Sequence, residues 1–271
     1  MFLRLVPTYL MRAAVISAGS IAVGVPVASY AKQSNAPFQT TFEGNQVGES
    51  WRASHNWRKG GEEACIWSRV RSEVGGGSAR VTTGIAPDGR TITCGEVRSL
   101  RSFGYGLFET EFTAPSVSGV VSSWTLYVAQ REDQPYGEIG LFLPGTDKRV
   151  RMNHSESTYE GDEAYVELGP HTTKRTYSIL WEQGRITWFV DGKLIGFKQS
   201  EAVPDRPMSV FFSTWTSGAD TSWLGALDTD RLPATMKVDR FEFTPLSEAC
   251  GVRPAFCSAS QERSAALPVI E

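Results

Sequence analysis

Histidine is scarce in this chain: His55, His154 and His171 are the whole supply. None is spaced like part of a zinc ligand set, which argues against a zinc site. An excess of charge of one sign is missing too, since 27 Lys and Arg face 30 Asp and Glu for a net charge of −3. Nucleic acid and anionic membranes are therefore not expected as partners. No segment holds a helical period, no internal repeat appears, and the βαβ spacing of parallel sheets is absent. After residue 31 no apolar run approaches the roughly 20 residues that span a bilayer.

What is present suits one globular domain large enough to bury a core, with 41% hydrophobic and 21% charged residues over 271 positions. Positions 1–31 read as a signal peptide. Arg4 and Arg12 supply positive charge, and Ala13 to Val27 form a short apolar segment broken by Gly24 and Pro26. Ser29-Tyr30-Ala31 offers small residues at the −3 and −1 positions of a cut. A secreted or periplasmic monomer, with no membrane contact after cleavage, is the expectation. Cys65, Cys94, Cys250 and Cys257 agree with export, because an even count in an oxidising compartment favours disulfides over metal ligands. The sequence alone allows three pairings. Of these, Cys65–Cys94 with Cys250–Cys257 is the one favoured.

A polar linker, Lys32 to Pro37, follows the signal. From Phe38 onward short apolar runs are broken by Gly, Pro, Asn and Asp, the texture of an all-β chain. Strands are expected at Ala79–Thr83, Glu96–Ser99, Gly106–Phe112, Val120–Ala129, Gly137–Leu143, Arg149–Asn153, Ala164–Glu167, Thr176–Glu182, Arg185–Val190, Lys193–Gln199, Met208–Thr214 and Met236–Thr244. Asp191-Gly192 is a two-residue hairpin turn. Many strands without helical crossovers predict two antiparallel sheets packed face to face. Residues 38–246 form that domain, and 247–271 a tail pinned by the last cysteine pair and fraying after about Glu262.

The stretch Gln134 to Gly145 organises the functional question. Read as a strand, it turns Ile139, Leu141 and Leu143 to a core and Glu138, Gly140 and Phe142 to the open face. One carboxylate on an open face, with aromatic residues in the flanking segments, suggests a carbohydrate cleft.

Several spaced motifs then agree at once: Cys94-Gly-Glu-Val-Arg-Ser, Phe103-Gly-Tyr-Gly-Leu-Phe-Glu, Gly119-Val-Val-Ser-Ser, Glu138-Ile, Trp188-Phe-Val-Asp-Gly and Trp215 with Trp223-Leu-Gly. In this order they resemble lichenase-like members of glycoside hydrolase family 16. The tail, with Val238-Asp-Arg, Cys250 and Cys257, is most similar to bacterial endo-β-glycanases that trim exopolysaccharides of the succinoglycan type. The resemblance implies a β-jelly-roll sandwich with a concave glycan-binding groove. It also implies a central strand reading Glu-x-Asp-x-Glu, in which the first Glu is the nucleophile, the Asp assists and the second Glu is the acid/base. Retaining hydrolysis needs the two outer carboxylates about 5–5.5 Å apart. Here Glu138 matches the nucleophile, Gly140 replaces the Asp and Phe142 replaces the acid/base. Glu132, Asp133, Glu156 and Glu160 are the other acids near that strand.

By the same resemblance Glu96 and Arg98 bind sugar hydroxyls, while Tyr127, Tyr136, Asn153, Trp215 and Trp223 line the groove. Thr125 stands where an aromatic is usual and Ser213 where an Asn is usual. Flat aromatic faces with polar side chains between them are what a polysaccharide site requires. No cofactor is expected; Asp239 matches a carboxylate that holds structural Ca²⁺ in some relatives, an ion suited to oxygen ligands. The alternative is an Asp paired with Arg240 or solvent. Three functions follow from this sequence: a catalytically impaired binder of β-linked polysaccharide, an endo-β-1,3-1,4-glucanase-type glycanase or transglycosylase using Glu138, or a structural component of an export or surface assembly.

Overall fold

Large apolar side chains recur at every second position of the central strand, at Ile139, Leu141 and Leu143, and this period of two decides where the core lies. The computed structural model describes residues 32–44, 47–58, 65–131, 135–146, 148–156, 162–218 and 223–261, all within the unit Ala31–Glu271. The expected signal segment and the end of the tail lie outside the described residues. In chain order the strands are β1 (Lys32–Ser34), β2 (Phe38–Thr40), β3 (Trp51–Ala53), β4 (Ile66–Trp67), β5 (Ser72–Gly75), β6 (Ser78–Ile85), β7 (Ile92–Phe103), β8 (Gly106–Thr113) and β9 (Val121–Val128). They continue as β10 (Gly137–Pro144), β11 (Arg149–Glu156), β12 (Asp162–Glu167), β13 (Arg175–Glu182), β14 (Arg185–Val190), β15 (Lys193–Gln199), β16 (Met208–Trp215) and β17 (Ala234–Pro245). Two short helices follow, α1 (Leu246–Val252) and α2 (Pro254–Gln261). No helix among the described residues is long and apolar enough to cross a membrane.

Hydrogen bonding orders one sheet β12–β11–β10–β9–β16–β7, with β3 antiparallel and β1 parallel to β7. The other runs β15–β14–β13–β8–β17–β6–β5, and β2 also pairs with β17. This is the mostly antiparallel sandwich expected from the strand spacing. Each expected strand is present. The short strands β1 to β5 are additions, and Lys32–Ser34, read as linker from its composition, pairs with Arg101–Phe103.

Between the sheets, Ile139, Leu141 and Leu143 of β10 are fully buried with Trp124, Phe212, Phe108, Ile179 and Trp181. Burying each such aliphatic side chain contributes about 1.5–3 kcal/mol. Asp191 and Gly192 both take positive φ, 50° and 74°, as the tight hairpin between β14 and β15 demands. The tail expected after residue 246 begins with two helices that the sequence reading did not include. Its two helices cover the outer face of the second sheet, where Ala249, Phe256 and Cys257 pack on Leu107, Leu180 and Phe189. Helices of 7 and 8 residues are too short to display a period in sequence.

The sheets are joined where β6 runs into β7, with Gly84 opposite Thr93 and Ile85 opposite Ile92. Asp88 organises the connecting turn, accepting hydrogen bonds from the Thr91 hydroxyl and from the N–H groups of Thr91 and Arg90. These bonds, the hydroxyl first, hold its carboxyl down at about 2. Beside the junction Cys65 bonds to Cys94, and Cys250 bonds to Cys257 in the tail, as favoured from sequence. The two bridges close loops of very different length, 29 and 7 residues of separation. Loop-closure entropy then predicts losses of roughly 3.5 kcal/mol for a Cys65→Ser/Cys94→Ser variant and roughly 2.5 kcal/mol for Cys250→Ser/Cys257→Ser. Urea unfolding of both variants measures the order; a larger loss from the tail pair would contradict it.

Candidate functional site

Register across the first sheet sorts its open face into rows, since residues directly opposite in paired strands share a face. One row joins Glu138 to Tyr127 on β9 and to Ser209 on β16. The next runs from Asn153 through Gly140, Thr125, Phe211 and Arg98 to Arg52. A third runs from Arg151 through Phe142, Ser123 and Ser213 to Glu96. The three positions of β10 singled out from sequence therefore head three successive rows of one surface.

Glu138 is 7% exposed, and Asn153 Nδ2 donates to its Oε1 at 3.0 Å. The neighbouring strand thus fixes where this carboxylate points. At the other two positions of β10 on this face stand Gly140, with no side chain, and Phe142. A Cβ built on Gly140 would lie 2.7 Å from Phe142 Cε2 and 2.9 Å from Thr125 Cγ2. The Phe142 ring has folded back over the glycine and fills the space that a side chain there would need. Gly140 is absent from the positive-φ residues of the described chain, so what requires glycine is room, not backbone conformation.

Aromatic groups gather at both ends of β10. Tyr127 meets Tyr136 and Phe211 edge-on, with centroids at 5.2 and 5.5 Å, beside the Glu138 row. At the opposite end Phe142 and Trp223 pack on Trp215, Trp67 and the Cys65–Cys94 bridge. The Arg151 guanidinium stands 4.8 Å over Trp223 and 5.7 Å over Phe142, within cation–π range. Trp215 meets Trp223 at 6.1 Å and donates from Nε1 to Ser123 Oγ, which in turn shares a 2.7 Å hydrogen bond with Ser213 Oγ. Arg151 carries no signal in the sequence, because its place over the rings depends on the β10–β11 register.

Residues 34–233 match the family described as Glycosyl hydrolases family 16. The chain belongs to glycosyl hydrolase family 16. It is 28% identical over 205 residues to endo-1,3-1,4-beta-glycanase ExoK of Rhizobium meliloti (strain 1021), across 74% of this chain and 76% of that protein. A beta-glucanase of Bacillus licheniformis is 27% identical over 203 residues, 73% of this chain and 82% of its own. Among solved structures, the Bacillus licheniformis beta-glucanase shares the fold with a TM-score of 0.70 at 24% identity, over 77% of this chain and 97% of that one. A beta-1,3-1,4-glucanase (lichenase) derived from a mouse hindgut metagenome gives 0.71 at 24% identity, over 78% and 99%.

Against the family-16 expectations, the structure brings Glu138, Glu96, Arg98, Tyr127 and Asn153 onto one face and sets Tyr136, Trp215 and Trp223 at its ends. Glu96 is far from Glu138. Three strand spacings of about 4.8 Å and four residues of about 3.3 Å put its backbone roughly 19 Å from that of Glu138. Its Oε1 accepts from Ser54 Oγ at 2.5 Å. Glu132, Asp133 and Glu160 lie outside the described residues, and Glu156 stands opposite Gly137 in register. Asp239 does not fit a Ca²⁺ ligand: Lys237 Nζ lies 2.5 Å from one carboxylate oxygen and Lys174 Nζ 3.5 Å from the other. Arg240, the sequence candidate for its partner, pairs with Glu111 and Glu242 instead.

The interlock between Gly140 and Phe142 has a measurable signature. Gly140→Ala should destabilise by about 1–3 kcal/mol through overpacking. With Phe142→Ala present, the same change should lose most of that penalty. A double-mutant cycle in denaturant reads the coupling, expected above about 0.5 kcal/mol; additive losses would show that the ring does not occupy the site.

Proposed function

We propose that this family-16 protein is exported and holds β-linked glucan or exopolysaccharide along the open face of its first sheet, with hydrolysis strongly impaired. One observation carries the reading: the Phe142 ring rests on Gly140, so hydrocarbon fills both positions of β10 where a hydrolase needs carboxyl groups. A phenyl ring cannot protonate a departing glycosidic oxygen, and a glycine cannot brace a nucleophile. General acid–base assistance is worth about 10² to 10⁴ in rate, so its loss is severe without touching the binding surface. Glu96, on the same face at β7, is too distant for either retaining or inverting geometry, which needs about 5–9.5 Å. The aromatic groups at the ends of β10, with Glu96, Arg98 and Asn153 between them, retain the mixture of flat apolar surface and polar groups that suits a sugar chain.

A second reading keeps weak catalysis. It is favoured by Asn153, whose hydrogen bond orients Glu138 as a nucleophile must be oriented. Reducing-end release from mixed-linkage β-glucan by wild type, Glu138→Gln and Gly140→Asp/Phe142→Glu separates the readings. The binding protein is expected to retain the glucan on affinity electrophoresis and release sugar no faster than Glu138→Gln, while the repaired double variant gains activity of at least about tenfold. Turnover by wild type that Glu138→Gln abolishes would replace the first reading with the second. Absence of binding to any β-linked glycan would remove both.

A further inference from the structure

Arg52 on β3 and Arg98 on β7 stand directly opposite each other in register, and both side chains are exposed. Neither has an ionic or hydrogen-bonding side-chain partner among the described residues. Like charges placed directly opposite in a sheet are destabilising. The pair cannot escape by turning inward, because the alternate positions Trp51, Val97 and Ser99 already fill the core side of the same strands. Nor does the nearest carboxylate on that face neutralise it: Glu96 is buried and accepts from Ser54 Oγ. Two unpaired guanidinium groups are therefore held side by side on the face that carries Glu138, in the row of Gly140 and Asn153.

We infer that the Arg52–Arg98 pair recognises a carboxylate carried by the bound polysaccharide, so that the preferred ligand is an acidic rather than a neutral glycan. This rests on the glycan-binding reading above and narrows it. A chain lying across the strands above Gly140 would pass over Phe211 and reach the pair at the β7–β3 edge. Guanidinium groups present planar donor forks that match a carboxylate in bidentate fashion, and two of them can share its four lone-pair positions. The whole chain carries a net charge of −3, so general attraction for polyanions does not account for such a preference.

Mixed-linkage β-glucan and the carboxymethylated form of the same polymer provide the test, compared by affinity electrophoresis at low and high ionic strength. Wild type should bind the carboxymethylated polymer about tenfold more tightly at low salt. That advantage should shrink as salt is raised. Arg52→Gln should bring the ratio of the two affinities close to one. Arg52→Glu, able to pair with Arg98, should invert it. Removing a like-charge contact should leave the unfolding midpoint of Arg52→Gln equal to or above that of wild type, which separates a lost preference from a lost fold. Equal affinity for both polymers in wild type, or a ratio untouched by Arg52→Gln, overturns the inference and leaves glycan binding standing. Retention of neither polymer overturns both.

Discussion

Strand β10 is hydrogen-bonded along both edges, to β9 on one side and β11 on the other, and the whole site depends on that double pairing. A strand held on two edges cannot slip by one residue without moving Ile139, Leu141 and Leu143 out of the core. Those three side chains therefore fix, from behind, which residues face outward. Glu138, Gly140 and Phe142 are presented as a set, and Asn153 is placed to reach Glu138 because β11 is locked to the same register. The chemistry of the face is in this sense a by-product of packing on its reverse.

The aromatic end of the face depends on the junction between the sheets. Phe142 and Trp223 lie against the cluster that contains Trp67, Trp215 and the Cys65–Cys94 bridge. That bridge ties the segment before β4 to β7 at the point where β6 crosses from one sheet to the other. Support for the rings thus comes from a covalent link as well as from van der Waals contact. The far end of the molecule is braced separately, by the tail helices and their own disulfide on the outer face of the second sheet.

Much of this was legible in the sequence where a physical pattern was long enough to read. Strands of eight residues, apolar in texture and bounded by turn residues, announce themselves, and so does a hairpin at Asp191-Gly192. That residues 138, 140 and 142 share a face was visible from alternation, and the register of β10 agrees. Strands of two to four residues, such as β3 and β4, escaped because so few positions display no period. That omission hid the most charged feature of the face. Arg52 could not be set against Arg98 until β3 was known to pair with β7. The contact of Arg151 with Trp223 was hidden for a similar reason, as it joins residues far apart in the chain. The lysines around Asp239 were hidden as well, since Lys174 and Lys237 meet at its carboxylate only once the chain is folded.

The glycine under the Phe142 ring also ties three positions together. The first carbon of any side chain at 140 would lie 2.7 Å from Phe142 Cε2 and 2.9 Å from Thr125 Cγ2, so both neighbours must shift before a larger residue fits. What residue 140 can be is therefore conditional on residues 142 and 125, and the three change freely only as a set.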